Sequence, residues 1–226
     1  MDFKNLDQPG LIGHIRGMGL PEYRGRQIFS WLYRMRVDDF QQMTDLPKDL
    51  RQRLTEEVTV SSLQPFKIMT SADGTRKIIF RLEDEDGPAI EAVLIPEESR
   101  YTLCVSTQAG CAMGCKFCRT ASLGFIRNLS TAEIVNQVLA AFRIIEEGKD
   151  ELPLSNLVFM GMGEPLANFD NLLTAINILK DQRGLDFSAR RITVSTCGLL
   201  PKMKLLGLSA NINLAVSLHA VSNETR

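Results

Sequence analysis

Beyond residue 100 the chain repeats one pattern, a strand-length run, then a loop, then a helical stripe, and that alternation restricts its fold more than any other feature. Residues 102–107 read as a strand. Ser130 and Glu133 form a capping box ahead of a helix whose Ile134, Val138, Phe142 and Ile145 make one apolar stripe, with Gly148 as its stop. Residues 157–160, 191–196 and 213–219 repeat the strand signal. Helical stretches at 169–182, closed by Gly184, and at 201–206 lie between them. Strands alternating with helices predict parallel β/α units in an α/β protein. Right-handed crossovers curl four such units into an arc, a partial β/α (TIM-like) barrel truncated after its fourth strand.

Active sites of β/α barrels gather at the C-terminal ends of the strands, and every unusual motif falls at such an end. Cys111, Cys115 and Cys118, in CAMGCKFC, follow the first strand as C-x3-C-x2-C. Gly161-Met162-Gly163-Glu164-Pro165 follows the second, Ser195-Thr196-Cys197-Gly198 ends the third, and Ser217-Leu218-His219 ends the fourth. Three thiols within eight residues point to a metal centre. A structural zinc closes its shell with four ligands, yet the nearest other cysteine upstream is Cys104 and the only histidines are His14 and His219. On a cubane iron–sulfur cluster, three ligands leave one iron open to a small molecule, and bacterial ferredoxins use a different run. Three reduced thiols without a metal, and a zinc site with a remote fourth ligand, are the competing readings.

Residues 1–60 read as a helical domain. Pro21 and Glu22 open one amphipathic segment, and Pro47 precedes another carrying Leu50, Leu54 and Val58. Residues 61–100 read as a β meander linker, with runs at 67–70, 75–82 and 89–95 separated by Asp73-Gly74 and by the turn composition of residues 84–87. Residues 101–226 form the core. Arg16, Arg24, Arg26, Arg34 and Arg36 face only Glu22 in their window, interleaved with Tyr23, Phe29, Trp31 and Tyr33, a mixture suited to phosphate contact and base stacking or to a solvated helix face. Five cysteines, three of them clustered, suit a reducing compartment. With no apolar run near the roughly 18 residues of a membrane span and no signal-peptide core in MDFKNLDQPG, the expectation is a cytoplasmic location and no membrane partner.

The cysteine spacing is similar to the cluster loop of radical S-adenosylmethionine (SAM) enzymes. Taken together, CAMGCKFC, GMGEPL, TVSTCG and SLHA, with Glu91, Cys104 and the N-terminal GLPEYRGRQIFSWLY, resemble the RlmN-type dual-specificity RNA adenine-C2 methyltransferases, whose nearest relatives are the Cfr-type adenine-C8 enzymes. The resemblance implies that Cys111, Cys115 and Cys118 hold one [4Fe–4S] cluster whose free iron is chelated by SAM. It implies that Gly163 and Glu164 meet the SAM amino group, and that Ser195, Ser217, Leu218 and His219 contact the rest of that cofactor. In that family a cysteine near the C-terminus carries the methyl group, a radical formed on it adds to adenine C2, and a second cysteine releases the adduct through a transient disulfide. Cys104 matches the resolving cysteine and Glu91 the base that removes the C2 proton. The implied partners are 23S rRNA, tRNA and an electron donor such as flavodoxin or ferredoxin. Adenine C2 is electron-poor, which is the chemical reason for recruiting a radical cofactor.

Plainer readings stand beside these. Cys104 suits a buried core thiol. Glu91 shares its strand face with Val93 and Ile95, and since the opposite face is apolar too, periodicity leaves its direction open. His219 suits a satisfied core histidine, Cys197 occupies the variable place of S-T-x-G, and His14 suits the surface. The chain stops at residues 222–226, where Ser222 would cap another helix, so the expectation is a fragment lacking the last barrel units and the methyl-carrying cysteine. An iron–sulfur electron carrier and a zinc-stabilised RNA-binding module are the alternatives from other classes. Neither needs the GMGEP and SLHA strand ends.

Overall fold

The computed structural model describes residues 1–82, 87–218, 220–222 and 224. Three helices lead the chain, α1 (Gln8–Gly17), α2 (Glu22–Tyr33) and α3 (Lys48–Glu57). Asp7 caps α1 by accepting from the Gly10 N–H at 3.1 Å, while Pro21 and Pro47, each extended, set the starts of α2 and α3. Leu11, Ile15, Ile28, Phe29, Leu32, Leu50 and Leu54 are the buried stripes of these helices.

The meander and the core form one sheet. Its strands are β1 (Pro65–Thr70), β2 (Arg76–Arg81), β3 (Ala89–Pro96), β4 (Tyr101–Cys104), β7 (Leu154–Phe159), β8 (Ile192–Thr196) and β9 (Asn213–Val216), in that spatial order. The first four are antiparallel and the last four parallel. The 61–100 segment is therefore hydrogen-bonded into the sheet, with Val93 opposite Cys104. Asp73 makes the first turn by accepting from the Thr75 N–H at 3.0 Å, whereas most of the second turn (83–86) lies outside the described residues.

The register sorts the two faces of the sheet. Leu94, Leu103, Leu157 and Ile192 stand in one cross-strand row, all fully buried. They join a continuous core with Ile134, Val138 and Leu139 of α4 (Thr131–Gly148) and Leu172, Ile176 and Leu179 of α5 (Phe169–Lys180). The neighbouring row, Val93, Cys104, Val158 and Thr193, lies on the concave side and is only half-buried. The capping box of α4 is present, Ser130 Oγ accepting from the Glu133 N–H at 3.2 Å and the Glu133 carboxylate from the Ser130 N–H at 2.8 Å. The helix runs through Gly148, and Lys149 takes the left-handed turn at φ 53°. The last helix, α6 (Leu200–Ser209), is longer than the pattern of residues 201–206 suggests.

Two short strands interrupt the simple β/α order. β5 (Gln108–Gly110) and β6 (Phe125–Asn128) pair as an antiparallel ribbon, so the first strand stops at Cys104 and a separate stem carries the cysteine loop.

The N-terminal helices are fastened to the core through a buried lysine. Lys4 is fully buried and donates to Asp38 Oδ1 at 2.5 Å and Asn136 Oδ1 of α4 at 2.9 Å. Asp38 also receives Arg143 of α4 at 2.9 Å, and Asn136 donates to Ser61 O at 3.1 Å. Burial lowers the Lys4 pKa, opposed by Asp38. A buried charge of this kind persists only where its partners are complete.

Candidate cluster and cofactor site

The cysteine loop is a ring closed at its neck. Gly110 ends β5 at φ 74°, and a Cβ there would lie 1.8 Å from Gly124 O, so only glycine lets the two arms meet. The next amide, Cys111 N–H, donates to that same Gly124 O at 2.9 Å. Beyond the neck, Cys111, Cys115 and Cys118 are all half-buried, and burial raises the Cys111 pKa, with Cys118, Cys115 and Glu164 adding to the rise. Bound metal cations reverse that balance, because they draw the thiolate form.

All three cysteines line a cavity of about 350 Å³ whose opposite wall is formed by Gly163, Glu164, Ser195, Cys197 and Ser217. The loops after β4, β7, β8 and β9 thus converge at one end of the sheet, as strand-end placement requires. Among the described residues no group of three His, Cys, Asp or Glu side chains is close enough to hold a single metal ion. Thiols set around a cavity, rather than drawn onto one point, suit a cluster that offers a separate iron to each.

Glu164 is buried and already committed. Its Oε1 accepts from the Leu166 N–H at 3.0 Å and its Oε2 from the Cys197 N–H at 2.8 Å, so this carboxylate ties the turn after β7 to the turn after β8. Cys197, which looks incidental in S-T-x-G, stands in the cavity wall. Its thiol pKa is pushed up to about 11, by burial first and by Glu164 second. Gly163 adopts φ 99° and presses its backbone against Gln108. Ser195 is half-buried and Ser217 exposed, both on the cavity wall; Leu218 is exposed and outside the lining, and His219 lies outside the described residues.

Glu91 and Cys104 occupy the concave face beside this cavity without lining it. Val93, opposite Cys104, is two residues along β3 from Glu91, which puts both candidates on one face. Glu91 pairs with Lys77 Nζ at 3.0 Å, while Cys104 is half-buried with its pKa raised by burial. All five cysteines are free; the transient disulfide expected of Cys104 takes the family's methyl-carrying cysteine as its partner, a residue expected outside this chain.

A larger groove of about 550 Å³, lined by Tyr23, Arg26, Trp31, Met35 and Arg183, lies away from the cysteines, near the loop that enters the N-terminal end of β8. Several arginines of the N-terminal window are engaged within the chain. Arg16 and Arg26 share Glu22 at 3.4 and 3.2 Å, Arg36 pairs with Glu146, and Arg24 stacks on Tyr23 while donating to Gln27.

Comparison with known proteins agrees with this geometry. Residues 1–60 match the family described as the ribosomal RNA large subunit methyltransferase N-terminal domain, and residues 105–226 match the radical SAM superfamily. Proteins named dual-specificity RNA methyltransferase RlmN from Geobacter sulfurreducens and Desulfotalea psychrophila are each 52% identical over all of this chain, which covers 60% and 63% of their respective lengths. The chain thus spans less than two thirds of the curated relatives it matches. A crystal structure of a radical SAM methyltransferase from Sphaerobacter thermophilus superimposes with a TM-score of 0.86 at 43% identity, covering 97% of this chain and 64% of that one.

Proposed function

Because the chain belongs to the radical SAM superfamily and carries the N-terminal domain of the ribosomal RNA large subunit methyltransferases, we propose that it serves methylation of adenine C2 in 23S rRNA and tRNA. The observation that carries this reading is the single cavity in which a three-cysteine loop faces the Gly163–Glu164 and Ser195–Cys197 turns. Cys111, Cys115 and Cys118 would hold a [4Fe–4S] cluster, and the opposing turns would hold SAM. When bound, the cluster supplies the electron that starts radical chemistry from SAM.

The rest of the work falls to the chain's own groups. The glycine-necked loop keeps three thiols on one side of the cavity. Backbone carbonyls of the turn after β7 offer acceptors to an ammonium, and the Ser195 and Ser217 hydroxyls can bond carboxylate or ribose. Glu164 holds the two turns together through its bonds to the Leu166 and Cys197 amides. On the concave face, Glu91 is assigned the base that takes the adenine C2 proton and Cys104 the thiol that releases the RNA adduct. The electron donor is proposed to be of flavodoxin or ferredoxin type. No helix among the described residues is long and apolar enough to cross a membrane, and the proposed RNA substrates point to the cytoplasm.

A second reading stands beside it: Cys197 lines the same cavity as the three loop cysteines, and a four-thiolate zinc shell would require these thiols to draw together, since as placed no three of them converge on one metal ion. Anaerobic reconstitution separates the two. The cluster reading expects about four irons and four sulfides per chain, unchanged in Cys197→Ser. Stoichiometric zinc without sulfide, lost in Cys197→Ser, would establish the other. In cells, deleting the gene should remove 2-methyladenosine from both RNAs by mass spectrometry, and a Cys115→Ala copy should not restore it.

A further inference from the structure

The cysteine loop and the 161–165 turn arise from different strands, and one buried side chain touches both. Gln108 opens β5, three residues before Cys111, and is 2% exposed. Its Oε1 accepts from the Glu164 N–H at 2.8 Å, and its Nε2 donates to Asn128 Oδ1, on the other arm of the ribbon, at 2.7 Å. Its backbone N–H donates to Met162 O at 3.2 Å. The packing is equally close: a Cβ on Gly163 would stand 2.5 Å from Gln108 Cβ and 2.6 Å from Cγ. A single amide group therefore supplies the acceptor for the turn after β7 and braces the stem that carries the cysteines.

We propose that Gln108 is a positioning residue that fixes the cysteine loop against the 161–165 turn, so that cluster and SAM are gripped in one register. The assignment rests on the radical SAM reading given above. Its physical basis is the cost of stranding a buried donor: with the Gln108 amide gone, the buried Glu164 N–H loses the acceptor it has in this structure. The turn must then shift to find a partner. Because the Glu164 carboxylate also binds the Cys197 N–H, the shift passes to the turn after β8. Two walls of the cavity move relative to the cysteines, although no cysteine has been altered.

The test compares the wild-type chain with Gln108→Leu, of similar size but unable to bond, and Gln108→Glu, which keeps an acceptor for the Glu164 N–H once the Asn128 amide turns to donate. In the metal-free proteins, hydrogen exchange at the Glu164 amide should accelerate at least tenfold in Gln108→Leu and stay near wild type in Gln108→Glu. After anaerobic reconstitution all three should carry the same iron and sulfide. SAM affinity should fall about tenfold in Gln108→Leu, equivalent to about 1.4 kcal/mol, with a smaller SAM-induced change in the electron paramagnetic resonance spectrum of the reduced cluster; Gln108→Glu should recover most of both. If Gln108→Leu does not fold, Asn128→Ala, which releases the same amide from its other side, must weaken SAM binding in the same direction. Unchanged exchange and unchanged SAM affinity in a folded, iron-loaded Gln108→Leu overturn the assignment. A wild-type chain that takes up neither cluster nor SAM sinks the radical SAM reading instead, a result the exchange measurement does not depend on.

Discussion

The seam between the N-terminal helices and α4 and the loop that carries the cysteines treat their polar groups in opposite ways. At the seam, Lys4 is fully buried, yet its ammonium meets Asp38 and Asn136, and those partners are in turn held by Arg143 and Ser61. In the loop, three thiols are half-exposed around a cavity, held in place through the glycine neck and the ribbon below it. The seam turns its polar groups on one another, which makes it a structural joint. The loop leaves its donors open to a partner that is not protein. Stability and ligand capture are thus separable in this molecule, and substitutions should move one without the other.

The largest effect expected is Cys115→Ala, which should abolish iron and sulfide uptake on anaerobic reconstitution while leaving the thermal midpoint of the metal-free chain within about 2 °C of wild type, as for a half-exposed side chain that stabilises nothing. Cys104→Ala, on the sheet and outside the cavity lining, should load the full complement. Retention of iron by Cys115→Ala would erase the distinction between the two regions.

Gly110→Ala attacks the neck. With a Cβ placed 1.8 Å from Gly124 O and a backbone at φ 74°, the arms must part. Iron uptake should drop several-fold, and circular dichroism should show the sheet intact, because β5 and β6 form a ribbon apart from the seven-stranded sheet. Normal iron uptake would mean that the neck does not hold the ring.

Asp38→Ala works the seam from the side that hurts most, since it leaves the Lys4 ammonium buried with only Asn136. A loss of about 3 kcal/mol in urea unfolding is expected, against a smaller loss for Lys4→Met, which removes the charge along with its need for a partner. Iron per folded chain should be unchanged in both. Equal losses would show that the ammonium is not the costly group.

The same contrast explains what could be read from residues alone. The outer face of the sheet was legible, because Leu103, Leu157 and Ile192 sit in runs of strand length between helical stripes and burial enforces that pattern. The strand-end motifs were legible for the same reason: once the strands are placed, their ends are too. The ribbon was not, since β5 and β6 have three and four residues, one of them a glycine, and their pairing depends on the neck. Cys197 and Gln108 were not, because a thiol in a variable position and a glutamine near a strand end acquire their roles only from a turn that arrives from another strand. The direction of Glu91 was open while both faces of β3 read as apolar; the register with Cys104 decides it. The Lys4 joint has no local signature at all, its partners lying 34 and 132 residues away.

The smallest effect concerns the arginines of the N-terminal domain, and here the structure tempers what the composition suggests. Arg26 already shares Glu22 with Arg16, and Arg24 is laid over Tyr23 with a hydrogen bond to Gln27. A phosphate would have to compete with those interactions, although exposed pairs of this kind hold by no more than about 1 kcal/mol. Replacing Arg24 and Arg26 together should therefore weaken RNA binding only modestly. The telling quantity is the salt dependence: each arginine–phosphate interaction removed should lower the slope of log affinity against log salt by roughly 0.7 to 0.9. A slope reduced by one such step would mark one of the two as facing RNA, and SAM binding should be untouched, because neither arginine lines the cysteine cavity. An unchanged slope would assign both arginines to the helical domain's own surface.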